Sequence, residues 1–357
     1  MAGLWCEHFL EYANDTQLLD GVYAANTGFT LGTQPVPAPR PGAKYLYWSG
    51  SPQNNIQLRR IFGGPKTGAG FGLRLYLSAL PAFDGTTGNG SGVFLGFLNA
   101  GGLMQAGVFL GSDGGLIFCH GVLAGWPAGL AFTIVGRSAP CITARTWQYI
   151  EMSCSPDPAV GTFEVRVNGT TVYNYTGNTD PQGTAEVSQA YMQAVAGIQH
   201  GVGDHHAWDN ALGNGPSNFT GNIAVLRREL DGDTAQADWS LSTGTVGYVL
   251  LIDENDATYI EADAAGPKSA FQAAALASGV AGILYQQVKW RGLKTDAADC
   301  DVAPSLINGS SETSVVGQHM TTLETWRWGI FGDDPLTAAP WTLSGANASL
   351  PAVTRTL

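Results

Sequence analysis

The feature that most limits the fold of this chain is a succession of short β-prone runs, each closed by glycine or asparagine. Between these runs there is no segment of about 10–15 residues with the periodicity of a helix, so parallel strands with helical crossovers are excluded. The pattern predicts an all-β chain of antiparallel strands joined by local turns. In the first part we predict strands at Trp5–Tyr12, Tyr45–Trp48, Ile56–Phe62, Phe71–Leu77, Val93–Leu98, Ala106–Leu110, Leu130–Val135, Trp147–Met152, Phe163–Val167, Thr171–Tyr175 and Ile223–Leu230.

The clearest hairpin lies between Phe163 and Tyr175. Apolar and polar side chains alternate from Phe163 to Val167, as expected for a strand with one buried face. The pair Asn168-Gly169 follows, and these residues tolerate the positive φ angles that a tight two-residue turn needs. The second strand then resumes after the turn.

A change in character near Leu230 suggests two domains, a sandwich at 1–232 and a smaller C-terminal β-domain with an extended tail at 233–357. Acidic residues follow Leu230 and the strand pattern starts again. Helix is an alternative to strand only around Ser269–Ala277, and we expect a loosely packed or neighbour-pairing tail at Trp341–Leu357. The strands predicted here are Val246–Ile252, Thr258–Ala262, Ala270–Leu276, Ile283–Trp290 and Thr322–Trp328.

The charge balance excludes several classes of partner. The chain has 17 Lys and Arg against 29 Asp and Glu, a net charge of −12, so it is poorly suited to nucleic-acid phosphates.

The uncharged stretch between Lys268 and Lys289 contains too many Ser, Gln and Gly residues for a membrane span. The first residues lack a basic segment followed by an apolar one, so we expect no secretory signal. Five scattered cysteines without a CxxC pair predict neither a zinc site nor a disulfide framework.

Familiar catalytic motifs do not fit the sequence. The glycine-rich stretch 63–70 places its Lys before the last glycines and is followed by a predicted strand, whereas a phosphate loop needs Lys after the glycines and before a helix. We find no Gly-x-Ser-x-Gly nucleophile elbow. Neither a nucleotide nor another cofactor is therefore expected.

Three residues, His205, His206 and Asp209, are the best candidates for a metal site. They lie in a stretch that holds half of the six histidines, and imidazoles with carboxylates can bind divalent metals. Adjacent histidines on a strand face opposite sides, however, so only one could contact a given ion. A solvated loop is the simpler interpretation, and we expect no metal. The carboxylates between Asp253 and Asp263 similarly favour a solvated edge over a Ca²⁺ site.

Tryptophan and tyrosine, 10 and 12 residues, are the remaining candidates for binding. Aromatic rings that stack on sugar rings occur in many β-sandwiches, and Trp126, Trp208 and Trp239 are candidates for such glycan contacts. For each of them, core filling is the simpler alternative.

Segments 162–172, 206–210 and 219–226 together resemble the last strands of a concanavalin A-like (laminin G-like) jelly-roll sandwich. With 231–262, 283–294 and 326–330 added, most of the chain is similar to structural proteins of tailed-bacteriophage virions. That resemblance implies a decoration, collar or fibre protein on a phage head or tail, made in the cytoplasm of the bacterial host. Its implied partners are other virion proteins and further copies of itself.

The alternative is a receptor-recognition module that binds polysaccharide on the host surface. Glucanases of the same superfamily carry Glu-x-Asp-x-x-Glu on one strand, and this segment is missing here. We therefore expect no catalytic activity and name no catalytic residue.

The virion hypothesis predicts that the purified chain is a stable homo-oligomer, because exposed sheet edges need a partner. Light scattering should give a multiple of the monomer mass: three for a fibre, six or twelve for a ring. A monodisperse monomer that does not associate with virions would contradict the hypothesis.

Overall fold

The protein is built almost entirely from antiparallel β-sheet. The computed structural model describes residues 3–7, 25–27, 30–32, 38, 45–48, 56–83, 94–122, 131–194, 197–210, 218–252, 255, 257–295 and 297–357. Within these residues, no helix is long and apolar enough to cross a membrane. The strands of the first part are β1 (Gly3–Glu7), β2 (Ala25–Thr27), β3 (Thr30–Gly32), β4 (Tyr45–Trp48), β5 (Ile56–Lys66), β6 (Ala69–Leu77), β7 (Phe94–Leu98), β8 (Met104–Leu110), β9 (Leu116–Val122), β10 (Ala131–Arg137), β11 (Gln148–Ser155), β12 (Gly161–Val167), β13 (Thr170–Gly177), β14 (Val187–Ala194) and β15 (His200–Asp209).

These strands form two sheets that face each other. Among the described residues, sheet A has the order β13-β12-β11-β6-β15-β4-β3, with β1 also paired to β15. Sheet B has the order β10-β9-β8-β7-β14-β5-β2. The arrangement confirms the predicted all-β class and the jelly-roll-like sandwich.

The core lies between the inner faces of the two sheets. Alternate residues of β6 (Leu73, Leu75 and Leu77) point inward and are almost fully buried, as the period of two in a strand requires. They meet apolar side chains from sheet B. Phe71 and Phe97, for example, pack edge to face with ring centroids 5.1 Å apart. Each such side chain contributes roughly 1.5–3 kcal/mol when fully buried.

The predicted hairpin at Asn168-Gly169 is confirmed. Strands β12 and β13 pair antiparallel on either side of the turn, and φ is 50° at Asn168 and 81° at Gly169. Both residues are therefore in the left-handed region that this turn demands. The Asn168 side chain also accepts a hydrogen bond from the backbone N–H of Tyr149, which ties the turn to β11.

A third sheet, sheet C, follows in the sequence. Its described strands run in the order β16-β19-β27-β21-β22, and β23 also pairs with β21. A separate ribbon of β20 and β24 packs against the sandwich, where Trp326 joins the core. The elements are β16 (Leu230–Ala237), β17 (Ser240–Leu241), α1 (Gly247–Ile252), β18 (Ile260–Glu261), β19 (Lys268–Ala273), β20 (Gln286–Gly292), β21 (Asp301–Asn308), β22 (Ser311–Ser314), β23 (Gln318–His319), β24 (Thr325–Phe331), β25 (Asp333–Asp334), β26 (Ala339–Pro340), α2 (Leu343–Ala348) and β27 (Leu350–Arg355).

One strand predicted in this part is a helix, and one segment with two alternatives is a strand. The run Val246–Ile252 is mostly the helix α1, because the carboxylate of Asp233 accepts hydrogen bonds from the backbone N–H groups of Gly247 and Tyr248 at its start. This cap comes from a distant strand and is not visible locally. At Ser269–Ala277, where helix was the alternative to the predicted strand Ala270–Leu276, the structure has strand β19, which is paired on both sides.

The expectation of an extended tail at Trp341–Leu357 was also wrong. Thr342 caps helix α2 by accepting a hydrogen bond from the Gly345 N–H, and β27 then pairs with both β19 and β21. Sheet C gives the tail hydrogen-bond partners on two sides, which no local pattern could indicate. The predicted strand Ile223–Leu230 is largely irregular, and β16 begins only at its last residue. The domain boundary at 232/233 stays a prediction, and β16 runs across it.

Arg228 joins the segment that leaves the sandwich to sheet C. Its guanidinium donates hydrogen bonds to backbone carbonyls on two elements, those of Ala273 and Ala274 after β19 and those of Ala346, Asn347 and Ser349 at the end of α2. The carbonyls at a helix C-terminus lack partners within the helix and carry partial negative charge, so a cation is favoured there. Burial lowers the pKa of Arg228 from its ordinary value.

We therefore predict that Arg228→Ala lowers the free energy of unfolding by about 2–4 kcal/mol, because several buried carbonyls lose a charged donor. Urea denaturation measures the change. The adjacent Arg227 makes an ion pair with the exposed Glu229 and is the matched control. Arg227→Ala should change the free energy by less than about 1 kcal/mol. Equal effects of the two substitutions would contradict the assigned role.

Candidate functional site

The candidate metal ligands all lie on β15, which is a buried strand and not the solvated loop expected from the sequence. His205 points into the core, with its ring centroid 6.0 Å from that of Phe71. His206 points to the outer face of sheet A, so the prediction that the two histidines face opposite sides is confirmed. Asp209 is buried and lies 3.4 Å from the ammonium of Lys66. Within the described ranges, no group of three or more His, Cys, Asp or Glu is placed to hold a metal ion.

His206 is the centre of a hydrogen-bonded network on the outer face of sheet A. The Tyr149 hydroxyl lies 2.9 Å from His206 Nδ1, and Thr220 Oγ1 lies 3.1 Å from His206 Nε2. The Thr220 hydroxyl and backbone N–H both donate to the Glu151 carboxylate, at 2.9 and 2.7 Å. Because the single Thr220 hydroxyl proton goes to Glu151, His206 donates from Nε2 and accepts the Tyr149 proton at Nδ1.

A crossing segment, residues 218–225, closes this network from solvent. Arg74 forms an ion pair with Asp204 at 2.6 Å and donates to the side chain of Asn222 and the carbonyl of Ile223. Asp204 also accepts the backbone N–H of Val225. Side chains of sheet A thus find their partners in the crossing segment. The network holds this segment in place and leaves no open cleft over His206.

Burial determines the protonation states in the network. It lowers the pKa of His206 to about 3, so the ring is neutral at pH 7. It raises the pKa of Glu151 and that of Tyr149 above their ordinary values. A neutral imidazole with one donor and one acceptor matches the two partners found.

Two of the three predicted glycan-stacking tryptophans lie in the described part of the chain, and neither is fully exposed. Trp208 is fully buried on the outer face of sheet A, stacked on His206 and packed over Gly70, where a Cβ would collide with the indole. Trp239 is half-buried and its indole N–H donates to the Pro267 carbonyl at 3.0 Å. Trp126 lies outside the described residues. For Trp208 the alternative of core filling is the correct one.

The outer face of sheet B has a different character. Five side chains of the neighbouring strands β5 and β14 share it, and we call them the glutamine face: Gln57, Arg59, Gln189, Tyr191 and Gln193. In the register of the two strands, Ile61 is opposite Gln189, Arg59 is opposite Tyr191, and Gln57 is opposite Gln193.

Several polar atoms of the glutamine face lack a hydrogen-bond partner although they are buried. They are Arg59 Nε, Gln189 Oε1 and Gln193 Nε2. The Tyr191 hydroxyl donates to Gln193 Oε1 at 2.8 Å, and the Arg59 guanidinium carbon lies 5.6 Å from the centre of the Tyr191 ring. Buried polar groups in proteins are nearly always paired, so this concentration of unpaired atoms requires an explanation.

An aromatic cluster continues from Tyr191 across sheet B. Phe94 packs against Tyr191 with ring centroids 5.7 Å apart and against Phe109 at 4.9 Å, and Phe109 contacts Phe83 and Phe132 at 5.0 Å each. The Phe94 ring fits only because Gly96 has no side chain, since a Cβ there would lie 2.6 Å from the ring. Polar groups and aromatic rings are therefore side by side on this face.

Sequence reasoning missed the glutamine face. The signal was the alternation Gln189-x-Tyr191-x-Gln193, which places three polar side chains on one face of a strand. The same spacing occurs in Gln57-x-Arg59. What the sequence could not supply was the pairing of these two strands, which are far apart along the chain.

No family model and no curated protein sequence matches this chain. Among solved structures, it is similar to the alginate lyase Aly36B in complex with alginate tetrasaccharide, at 11% identity and TM-score 0.36, over 58% of this chain and 96% of that one. It is also similar to the Emp46p carbohydrate recognition domain at 8% identity and TM-score 0.34, over 59% and 98% of the two chains. A tetrameric galectin from the ball sponge Cinachyrella sp. matches at 16% identity and TM-score 0.29, over 44% and 100%. These are likenesses of the sandwich fold.

The comparisons correct one expectation and leave another as it was. The expectation that the chain is not an enzyme is contradicted, because the matched sandwiches include alginate lyases. The concanavalin A-like sandwich is supported, whereas none of the structures compared above is a phage virion protein. The virion assignment rests on the sequence resemblance alone.

The His206 network makes stability depend on pH. The folded state keeps His206 neutral, whereas the unfolded chain binds a proton below the ordinary pKa of 6.5. This contribution to stability is full above pH 6.5 and is lost as the pH falls toward about 3. Between pH 7 and pH 5 it amounts to about 2 kcal/mol.

We predict that His206→Asn makes the free energy of unfolding less dependent on pH between pH 7 and pH 5. Glu151, with its raised pKa, acts in the opposite sense, so the measured quantity is the difference in slope between variant and wild type. His319→Asn is the control, because that imidazole is largely exposed on β23. Identical slopes for wild type and His206→Asn would show that the pKa of this ring is the same in the folded and unfolded states.

Proposed function

We propose that the protein binds a glycan on the glutamine face of sheet B. The observation that carries this proposal is the set of unpaired buried atoms on Arg59, Gln189 and Gln193, next to an aromatic cluster. Sugars offer many hydroxyl groups, which both donate and accept hydrogen bonds, together with apolar ring faces. Their hydroxyl groups match a surface that combines amides with a guanidinium.

The free-energy cost of unpaired buried groups favours a bound ligand over an empty face. A buried donor or acceptor without a partner costs about 1–3 kcal/mol. A bound hydroxyl that supplies the partner recovers this cost, and it does so only for ligands with matching groups. Specificity for a polar ligand is therefore a direct consequence of the unpaired atoms.

The face is accessible at the β5 side. Gln57, Arg59 and Gln189 are half-buried, and the neighbouring Ile61 is 47% exposed. Along β14 the exposure falls, and Tyr191 and Gln193 are only 4% and 1% exposed, so a ligand first contacts Gln57, Arg59 and Gln189.

The outer face of sheet A is the weaker candidate. The hydrogen-bonding groups of Glu151, His206 and Tyr149 already have partners in the network, and the crossing segment covers them. A ligand there would have to displace about the same number of hydrogen bonds as it made.

The proposed role agrees with the alternative drawn from the sequence, that of a glycan-recognition module. A place on a phage particle, contact with other virion proteins and synthesis in a host cytoplasm are separate hypotheses that rest on the sequence resemblance alone.

We predict that Gln189→Ala weakens glycan binding about three- to tenfold, the effect of one neutral hydrogen bond. A glycan array identifies a ligand and titration calorimetry measures Kd. Because Gln189 Oε1 is buried without a partner in the protein, the substitution should leave the free energy of unfolding unchanged or raise it slightly. Gln236→Ala on β16 is the control, since its amide is exposed and bonds Asp238. Failure of the wild-type protein to bind any glycan on the array would refute the proposal.

A further inference from the structure

We infer that the ligand of the glutamine face is an anionic glycan whose carboxylate or sulfate group is bound by Arg59. This inference rests on the proposed function and names the class of ligand. It depends on the positive charge of Arg59 and on the hydrogen bonding of the side chains around it.

Arg59 differs from the other arginines near the sheet surfaces. Ion pairs with carboxylates join Arg74 to Asp204, Arg137 to Asp113, Arg166 to Glu164, Arg227 to Glu229 and Arg291 to Glu324. Among the residues that the structure describes, no carboxylate pairs with Arg59. Arg145, Arg228 and Arg327 also lack a carboxylate partner, but each donates to backbone carbonyls. Arg59 is half-buried and has neither kind of acceptor in the described part of the chain.

The protein contacts of Arg59 hold its side chain in place and leave one of its donors unpaired. The guanidinium lies over the Tyr191 ring at 5.6 Å, which holds the side chain on the face through a cation–π contact. It extends toward the turn at Gly102, and its Nη1 lies 3.9 Å from the position that a Cβ on Gly102 would occupy. Its Nε atom is buried and has no acceptor. A planar guanidinium with free N–H groups is suited to bind carboxylate or sulfate through two parallel hydrogen bonds.

Gln193 adds a second donor to the face. Its Oε1 accepts the Tyr191 hydroxyl, which orients the amide and leaves Nε2 as the group without a partner. Arg59 and Gln193 thus each carry a buried, unpaired donor beside Tyr191. Gln189 Oε1 presents an acceptor farther along β14. The arrangement suits a ligand with an anionic acceptor near Arg59 and a hydroxyl near Gln189.

The test compares three ligands with galactose-based backbones: a neutral galacto-oligosaccharide, an oligogalacturonate and an oligosaccharide of carrageenan, a sulfated galactan. Titration calorimetry with the full chain should give a Kd at least about tenfold lower for one of the anionic ligands than for the neutral one. Preference for oligogalacturonate identifies a carboxylate as the bound group, and preference for the carrageenan oligosaccharide identifies a sulfate.

Arg59→Gln should remove this preference and bring the anionic ligand to the affinity of the neutral one. Arg137→Gln, on β10 at the opposite edge of sheet B and paired with Asp113, should leave it unchanged. If Arg59→Gln does not fold, the wild type supplies a second measurement. Raising NaCl from about 50 to about 500 mM should weaken binding of the anionic ligand and leave the neutral one nearly unaffected.

The failure of this inference is distinct from failure of the proposed function. Equal affinity of wild type for neutral and anionic ligands, or an anionic preference that survives Arg59→Gln, overturns the role of Arg59 while glycan binding stands. Absence of binding to all three ligands and to the glycan array overturns both.

Discussion

The bulge at Asp204 is the constraint on which both faces of sheet A depend. Val202 and Ala207 both point into the core, yet they are five residues apart, and strict alternation would place them on opposite faces. The register with β6 shifts between Gly203 and His206, and φ at Asp204 is 46°, so one extra residue restores the alternation. The same extra residue turns the Asp204 carboxylate toward Arg74 and His206 toward Tyr149. Without it, the network beneath the crossing segment could not form.

The polar side chains on the two outer faces of the sandwich are hydrogen-bonded to different extents. On sheet A, the crossing segment supplies donors and acceptors that match the buried side chains, so the face is internally complete. On sheet B, the amides and the guanidinium of the glutamine face are only partly matched, although aromatic rings next to them are buried as deeply. A face whose polar side chains all have hydrogen-bond partners stabilises the fold. A face with unpaired polar side chains can gain hydrogen bonds when a ligand binds.

Much of the sandwich could be predicted from the sequence because its strands alternate or are rich in β-branched and aromatic residues. Tyr45–Trp48 and the hairpin around Asn168-Gly169 are the clearest cases. Strand β15 escaped prediction because glycines and polar residues dominate it, a composition typical of loops that is stabilised here by three neighbouring strands. Strand β14 escaped because its glutamines face outward as solvent-exposed residues do. The candidate site was missed for the same reason, since the pairing of β5 with β14 is a contact between distant parts of the chain.

The position of β27 within sheet C governs when that sheet can assemble. It lies between β19 and β21, yet residues 350–355 follow every other strand of the sheet in the sequence. During synthesis, β19 and β21 therefore emerge with the edges that they will later share with β27 still open. Open edges of this kind recruit strands from other chains, so the interval before residues 350–355 leave the ribosome is the one in which a nascent chain is most exposed to mispairing. The sandwich needs none of these late residues for its own strand pairing, and it can complete its sheets before sheet C exists.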